Sequence, residues 1–88
     1  MRARRLRPRD EVVIQGESVV LVDRQVLRIS ALGTSILALC EHWKDVDELT
    51  SALVEEFGSP PDGSDPLLTT VSSLEDLKEQ GLVEVAGD

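Results

Sequence analysis

The sequence predicts an α+β fold, a winged helix-turn-helix in which a three-stranded antiparallel sheet is followed by three helices. Three observations carry this expectation. β-branched residues crowd residues 12–30 and are broken only by short polar interruptions. Apolar residues then recur at three- and four-residue intervals, the spacing of one helix face. Strand signals also precede helix signals instead of alternating with them, which favours a small sheet packed on a helical cluster over a parallel sheet. Two short helices and a longer third are, with such a sheet, the parts of a helix-turn-helix with a wing.

The strands come from "EVVIQGESVVLVDRQVLRIS", read as a meander near residues 11–15, 18–23 and 26–30. Gly16 suits the first turn because it tolerates a positive φ, and Asp23 supports the second through an Asx-type hydrogen bond. A meander in this order leaves its first and third strands at the edges. "SALGTSILALCEHW" follows, with Leu32, Ile36, Leu39, Cys40 and Trp43 on one face of a helix over residues 31–43. In "KDVDELTSALVEEFG", Asp45 with Glu48 three residues on resembles a capping box. Val46, Leu49, Leu53 and Phe57 form the buried face, and Gly58 stops the helix. The loop "SPPDGSDP" leads to a third helix with Asp65 as N-cap and Pro66 in the first turn, ending at Gly81. Its inner face is Leu67, Val71, Leu74, Leu77 and the alkyl stem of Lys78, and "LVEV" at residues 82–85 closes the chain as a short strand or a packed tail.

Length and charge narrow the function. Eighty-eight residues suffice for one small core. With one Trp, one Phe and no Tyr, that core is aliphatic. No stretch is long and apolar enough to span a bilayer, and no apolar run follows the basic start, so the expectation is a cytoplasmic protein without a membrane partner. The net charge of -8 is uneven: Arg2, Arg4, Arg5, Arg7 and Arg9 precede a strongly acidic body. Residues 1–10 are therefore expected to be a flexible basic arm on a single domain over residues 11–88. An acidic body repels phosphate, and two aromatics cannot build a base-stacking platform, so no nucleic-acid partner is expected.

Catalysis finds no foothold. His42 has no nucleophile or acid placed near it, Cys40 is expected to be a small buried hydrophobe on a helix, the glycines form no phosphate-cradling loop, and the carboxylates fall on helix surfaces. Neither a cofactor nor a metal is called for. What remains is binding, and the third strand is the distinctive surface. "QVLRIS" carries no proline and one charge, Arg28, so its edge lacks the usual protection against an added strand. Such an edge accepts an extended peptide through main-chain hydrogen bonds, with the third helix as the opposite wall. The alternative covering is "LVEV" or a second copy of the chain.

"VVLVDRQVLRISALGTSILALCEHWKDVDELTSALVEEF" followed by "LLTTVSSLEDLKEQGLVEV" resembles the PqqD family, small recognition elements that bind precursor peptides of ribosomally made, modified peptides. The resemblance spans roughly residues 12–85. It rests on the hydrophobic strand pair, the "LGT" of Leu32 to Thr34 where the family usually has "LNxT", the helix start from Asp45 to Leu49, and "LKEQGLV" at residues 77–83. It implies a non-catalytic adaptor that takes the leader segment of a precursor as an added strand and presents it to a radical SAM enzyme, a cyclase or a leader peptidase. Carried onto this sequence, it implies backbone contacts from Val26, Leu27, Arg28, Ile29 and Ser30. Side-chain contacts would come from Leu67, Thr70, Val71, Leu74 and Lys78. Arg28 and Lys78, on an acidic body, would favour a leader bearing Asp or Glu. Gly33 in place of Asn, Leu39 and Cys40 in place of an aromatic, the longer loop and the Arg-rich arm depart from the family pattern. A winged-helix transcriptional regulator, a purely structural enzyme subunit, and dimerisation through the exposed edge stay open as alternatives.

Overall fold

The structure, a computed structural model, describes residues 1–6, 10–14, 17–22 and 25–87. In chain order its elements are β1 (Arg2–Arg5), β2 (Asp10–Ile14), β3 (Glu17–Val22), β4 (Gln25–Ile29), α1 (Ala31–Leu39), β5 (Lys44–Asp45), α2 (Val46–Phe57), α3 (Pro66–Glu79) and β6 (Val83–Ala86). The three helices accompany two separate antiparallel sheets, ordered β2-β3-β4 and β5-β1-β6. The first is the expected meander, with β2 and β4 at its edges and Val20 opposite Leu27, Ser18 opposite Ile29. Gly16 and Asp23, assigned to its turns, lie outside the described residues.

The second sheet was not anticipated. In place of a flexible arm, Arg2–Arg5 forms the central strand of that sheet, with Ala3 opposite both Val85 and Lys44. Period-two alternation explains how so basic a segment enters the fold. Ala3 is wholly buried and Arg5 nearly so, while Arg2 and Arg4, two residues apart, stack on the Trp43 ring at 5.3 and 5.0 Å. Arg4 pairs with Glu84, its direct cross-strand neighbour, and Arg5 with Glu41 at 3.6 Å. Backbone bonds from Leu6 N–H to the Leu82 carbonyl and from Val46 N–H to the Met1 carbonyl tie both ends of β1 down.

This strand also corrects the first helix, which ends at Leu39 rather than at residue 43. Cys40 leaves helical geometry and its carbonyl accepts the Arg5 N–H at 2.8 Å, after which Lys44 and Asp45 pair with β1. Cys40 is buried as expected, at the helix end, whereas His42 and Trp43 fall in the exposed turn beyond it.

Asp45 and Asp65 cap their helices as the sequence suggests, although no capping-box bond with Glu48 forms among the described residues. Asp45 Oδ1 accepts the Asp47 N–H, Asp65 Oδ1 accepts the Leu67 N–H with Pro66 in the first turn, and Gly58 takes φ 81° at the end of α2. Val46, Leu49 and Leu53 are buried from α2, Leu74 and Leu77 from α3. Phe57, expected in the core, is 46% exposed. Leu67 and Lys78 are exposed as well, and Thr70 is buried in their stead, its hydroxyl donating to the Pro66 carbonyl at 2.9 Å.

Two residues fasten α1 to the meander. Thr34 Oγ1 accepts the Ser18 N–H at 2.8 Å and donates to the Ile29 carbonyl at 3.5 Å, so a side chain completes the ladder where β4 has ended. Gly33 lies so close to β4 that a Cβ on it would sit 2.7 Å from Ile29 Cγ2. That methyl is fixed at a β-branched centre and cannot swing away. Gly33→Ala is therefore expected to lower stability by about 1 kcal/mol in urea unfolding, overpacking outweighing the better helix preference of alanine. A variant more stable than the parent would show that this contact is not constraining.

Candidate functional site

The site is built on the outer side of β4. Its inner neighbour is β3, and among the described residues no strand pairs with its other side; β6, the "LVEV" segment, belongs to the other sheet. Counting the antiparallel alternation from the closing pair Val22 and Gln25, the peptide groups of Val26 and Arg28 are the ones directed to the open side. The side chains alternate too. Val26 is 69% exposed, Arg28 is exposed, Leu27 is half-buried and Ile29 is in the core.

Beyond this edge lies a cleft of about 240 Å³ between the end of β4 and the flank of α3. Arg28, Ile29, Ser30 and Gly33 form one wall, Ser73, Asp76, Leu77 and Gln80 the other. Ser30 is the N-cap of α1, its Oγ accepting the Gly33 N–H at 3.1 Å, which turns the chain away from the sheet and leaves the mouth open. The Arg28 guanidinium reaches back along the outer face to Glu17 at 3.3 Å. The cleft is thus polar at its rim, with a cation on the strand side and a carboxylate on the helix side, and apolar where Ile29 and Leu77 meet.

Of the residues assigned from sequence, Arg28, Ile29 and Ser30 line this cleft, and Val26 and Leu27 extend the strand that leads to it. The α3 assignments fall elsewhere. Thr70 and Leu74 are sealed in the core, at 3% and 1% exposure. Leu67 and Val71 line a different groove, and Lys78 is not among the residues of the cleft wall. The physical reason is helical phase: the apolar row marks what α3 buries, and the cleft lies along the adjacent row. Ser73, Asp76, Leu77 and Gln80 follow 3-, 4- and 7-residue spacing, a mostly polar stripe that hydrophobic periodicity passes over. Asp76, and not Lys78, lines the cleft opposite Arg28.

The groups that could have suggested chemistry are placed otherwise. His42 is exposed in the turn after α1. No cluster of three or more His, Cys, Asp or Glu with metal-holding geometry occurs among the described residues. None of the helices among those residues is long and apolar enough to cross a membrane. Compared with known protein families, with curated proteins and with solved structures, the chain matches none.

Cys40 is fully buried, and burial pushes its thiol up to about 11 because the thiolate would be desolvated; Lys44 and Arg5 offset this only in part. At pH 8 the folded protein should react with an aromatic disulfide reagent far more slowly than the urea-unfolded chain. Since the folded state holds the thiol proton more tightly, stability should be level below the ordinary thiol value of 9.0 and fall as pH rises from there toward about 11. Rapid labelling of the native protein at pH 8 would contradict the burial.

Proposed function

We propose that the chain is a non-catalytic, cytoplasmic peptide-binding adaptor: it captures the leader segment of a ribosomal precursor peptide as an added strand on β4 and presents it to a modifying enzyme. The observation that carries this reading is the open side of β4 running into a cleft walled by α3. An extended segment laid there gains main-chain hydrogen bonds from Val26 and Arg28, and its alternate side chains enter the cleft. The resemblance of residues 12–85 to the PqqD family supports the same reading, and the arrangement is taken as a winged helix-turn-helix in which the meander is the wing.

Charge favours a peptide over nucleic acid. Residues 46–79, which would include a recognition helix, hold nine carboxylates against one lysine, and phosphate affinity depends on the reverse balance. Within the cleft, Arg28 and Asp76 on opposite walls suit a leader whose docked segment carries charges of both signs, or amide and hydroxyl groups that bond to each.

The test is titration of the isotope-labelled protein with the leader peptide of a precursor encoded beside its gene. Saturable amide shifts are expected along residues 26–30 and at Ser73, Asp76, Leu77 and Gln80, with an affinity on the order of micromolar, near -8 kcal/mol. Val26→Pro removes one outward N–H from an edge strand that tolerates proline, so it should keep the fold and weaken the peptide by about tenfold or more, roughly the worth of one well-aligned hydrogen bond. Unchanged affinity in a folded Val26→Pro variant would exclude strand addition at β4. Shifts that depend on protein concentration without peptide would point to a second copy on this edge.

A further inference from the structure

Arg28 is the one cation among the residues that line the β4 cleft, and it is held loosely. In β1, by contrast, Arg4 stacks on the Trp43 ring and pairs with Glu84, and the Arg5 side chain is only 7% exposed beside Glu41. The Arg28 side chain is 80% exposed, and its ion pair among the described residues runs from a single guanidinium nitrogen to Glu17 Oε1 at 3.3 Å. That is long for a charge-assisted bond, and a solvent-screened pair of this kind adds little stability. Most of the N–H donors in the planar fork are therefore left unused at the open edge of β4.

The place of Arg28 on the strand decides what can reach it. Ser18, Val20 and Ile29 are buried, so by period two Glu17, Val19, Val26 and Arg28 share the outer face of the meander. A segment added to β4 continues this alternation. Its inward side chains descend toward Ile29 and Leu77, with Asp76 on the helix wall, and its outward ones stand beside Val26 and Arg28. The residue directly opposite Arg28 has its Cβ about 5 Å from that of Arg28, on the same face. A carboxylate there meets the free side of the fork and can bond it bidentately. Moved by one residue, it would point inward instead, to the Leu77 side chain and the Asp76 carboxylate.

We propose that Arg28 is a specificity-determining residue: it selects a docked segment that carries Asp or Glu directly opposite it on the outer face and an apolar side chain at an adjacent position, seated on Leu77. The guanidinium leaves Glu17 for the incoming carboxylate, exchanging one exposed pair for a better aligned one. This rests on the reading of β4 as a peptide-binding edge and adds to it the charge pattern of the peptide. The selection is positional and not a matter of net charge, because the body of the protein, at -8 overall, repels negative charge elsewhere in the ligand.

The probe is the leader peptide of the precursor encoded beside the gene, in a series with Glu placed at each successive position and a matching series with Gln. At one outward position Glu is expected to bind about fivefold tighter than Gln, and at the positions on either side more weakly than Gln. The preference should shrink as salt is raised, disappear in Arg28→Gln, and grow in Glu17→Gln, where the guanidinium has no resting partner. Arg28 is largely exposed, so Arg28→Gln should fold and still bind the Gln peptides. Arg28→Lys, which keeps the charge without the fork, should retain only part of the preference. A Glu preference that persists in Arg28→Gln, or one spread evenly over the positions, would overturn the proposal and leave strand addition in place. Failure of every peptide to bind the folded protein would overturn the peptide reading itself and this inference with it.

Discussion

The close approach of α1 to β4 at Gly33 is the constraint on which the candidate site depends. A Cβ at that position would meet Ile29 Cγ2 at 2.7 Å, Ser30 Oγ at 3.5 Å and Leu77 Cδ2 at 3.7 Å, and those three residues all line the cleft. Glycine is the one residue that lets a helix lie this near a strand, and its usual cost inside a helix is about 0.5 to 1 kcal/mol. The fold accepts that cost where strand, helix cap and third helix converge. Thr34, one residue on, holds the same junction by hydrogen bonds to β3 and β4. The hydroxyl stands between the Ser18 N–H and the Ile29 carbonyl on the β3 side of β4, so it closes the inner ladder where the strand gives way to α1.

A second sheet then closes the molecule from the opposite side. β1 lies between the two-residue β5 and the terminal β6, so it joins the first residues of the chain to the last. Its four residues include three arginines, and each is given an electronegative partner. Two ring contacts with Trp43 and carboxylates from Glu84 and Glu41 disperse a charge that would otherwise oppose burial of Ala3. Val83 and Val85, on the segment weighed as a cover for β4, pair with β1 instead.

How much of this was legible follows from how much of it is local. The meander, the Asp45 and Asp65 caps, the Gly58 stop and the buried leucines of α2 and α3 are set by residues within a turn or a strand of one another, and they read directly from propensity and period. β1 does not, because a lone alanine among arginines carries no hydrophobic signal and its partners lie some 40 and 80 positions away along the chain. The early end of α1 escaped for the same reason: Cys40 to Trp43 satisfies helical spacing, and only the distant Arg5 N–H shows why the chain turns there. On the candidate site, the strand side was legible as an unprotected edge. The helix side was not, since apolar periodicity finds the buried row of a helix and a binding wall is one row removed from it.

That last distinction bears on how α3 divides its surface. Leu74 and Leu77 anchor it in the core, so the rows on either side of them must look in different directions. One row presents Ser73, Asp76 and Gln80 to β4, the other Leu67 and Val71 to the start of α2. The two flanks differ in chemistry as well as direction: the first is lined mostly by polar side chains, the second by Leu67 and Val71 with Asp45, Asp47 and the chain's first residue beside them. The helix itself stands between them, so they are separate surfaces. Gly33 leaves α3 little room to approach β4, since Leu77 Cδ2 lies 3.7 Å from the position a side chain there would fill.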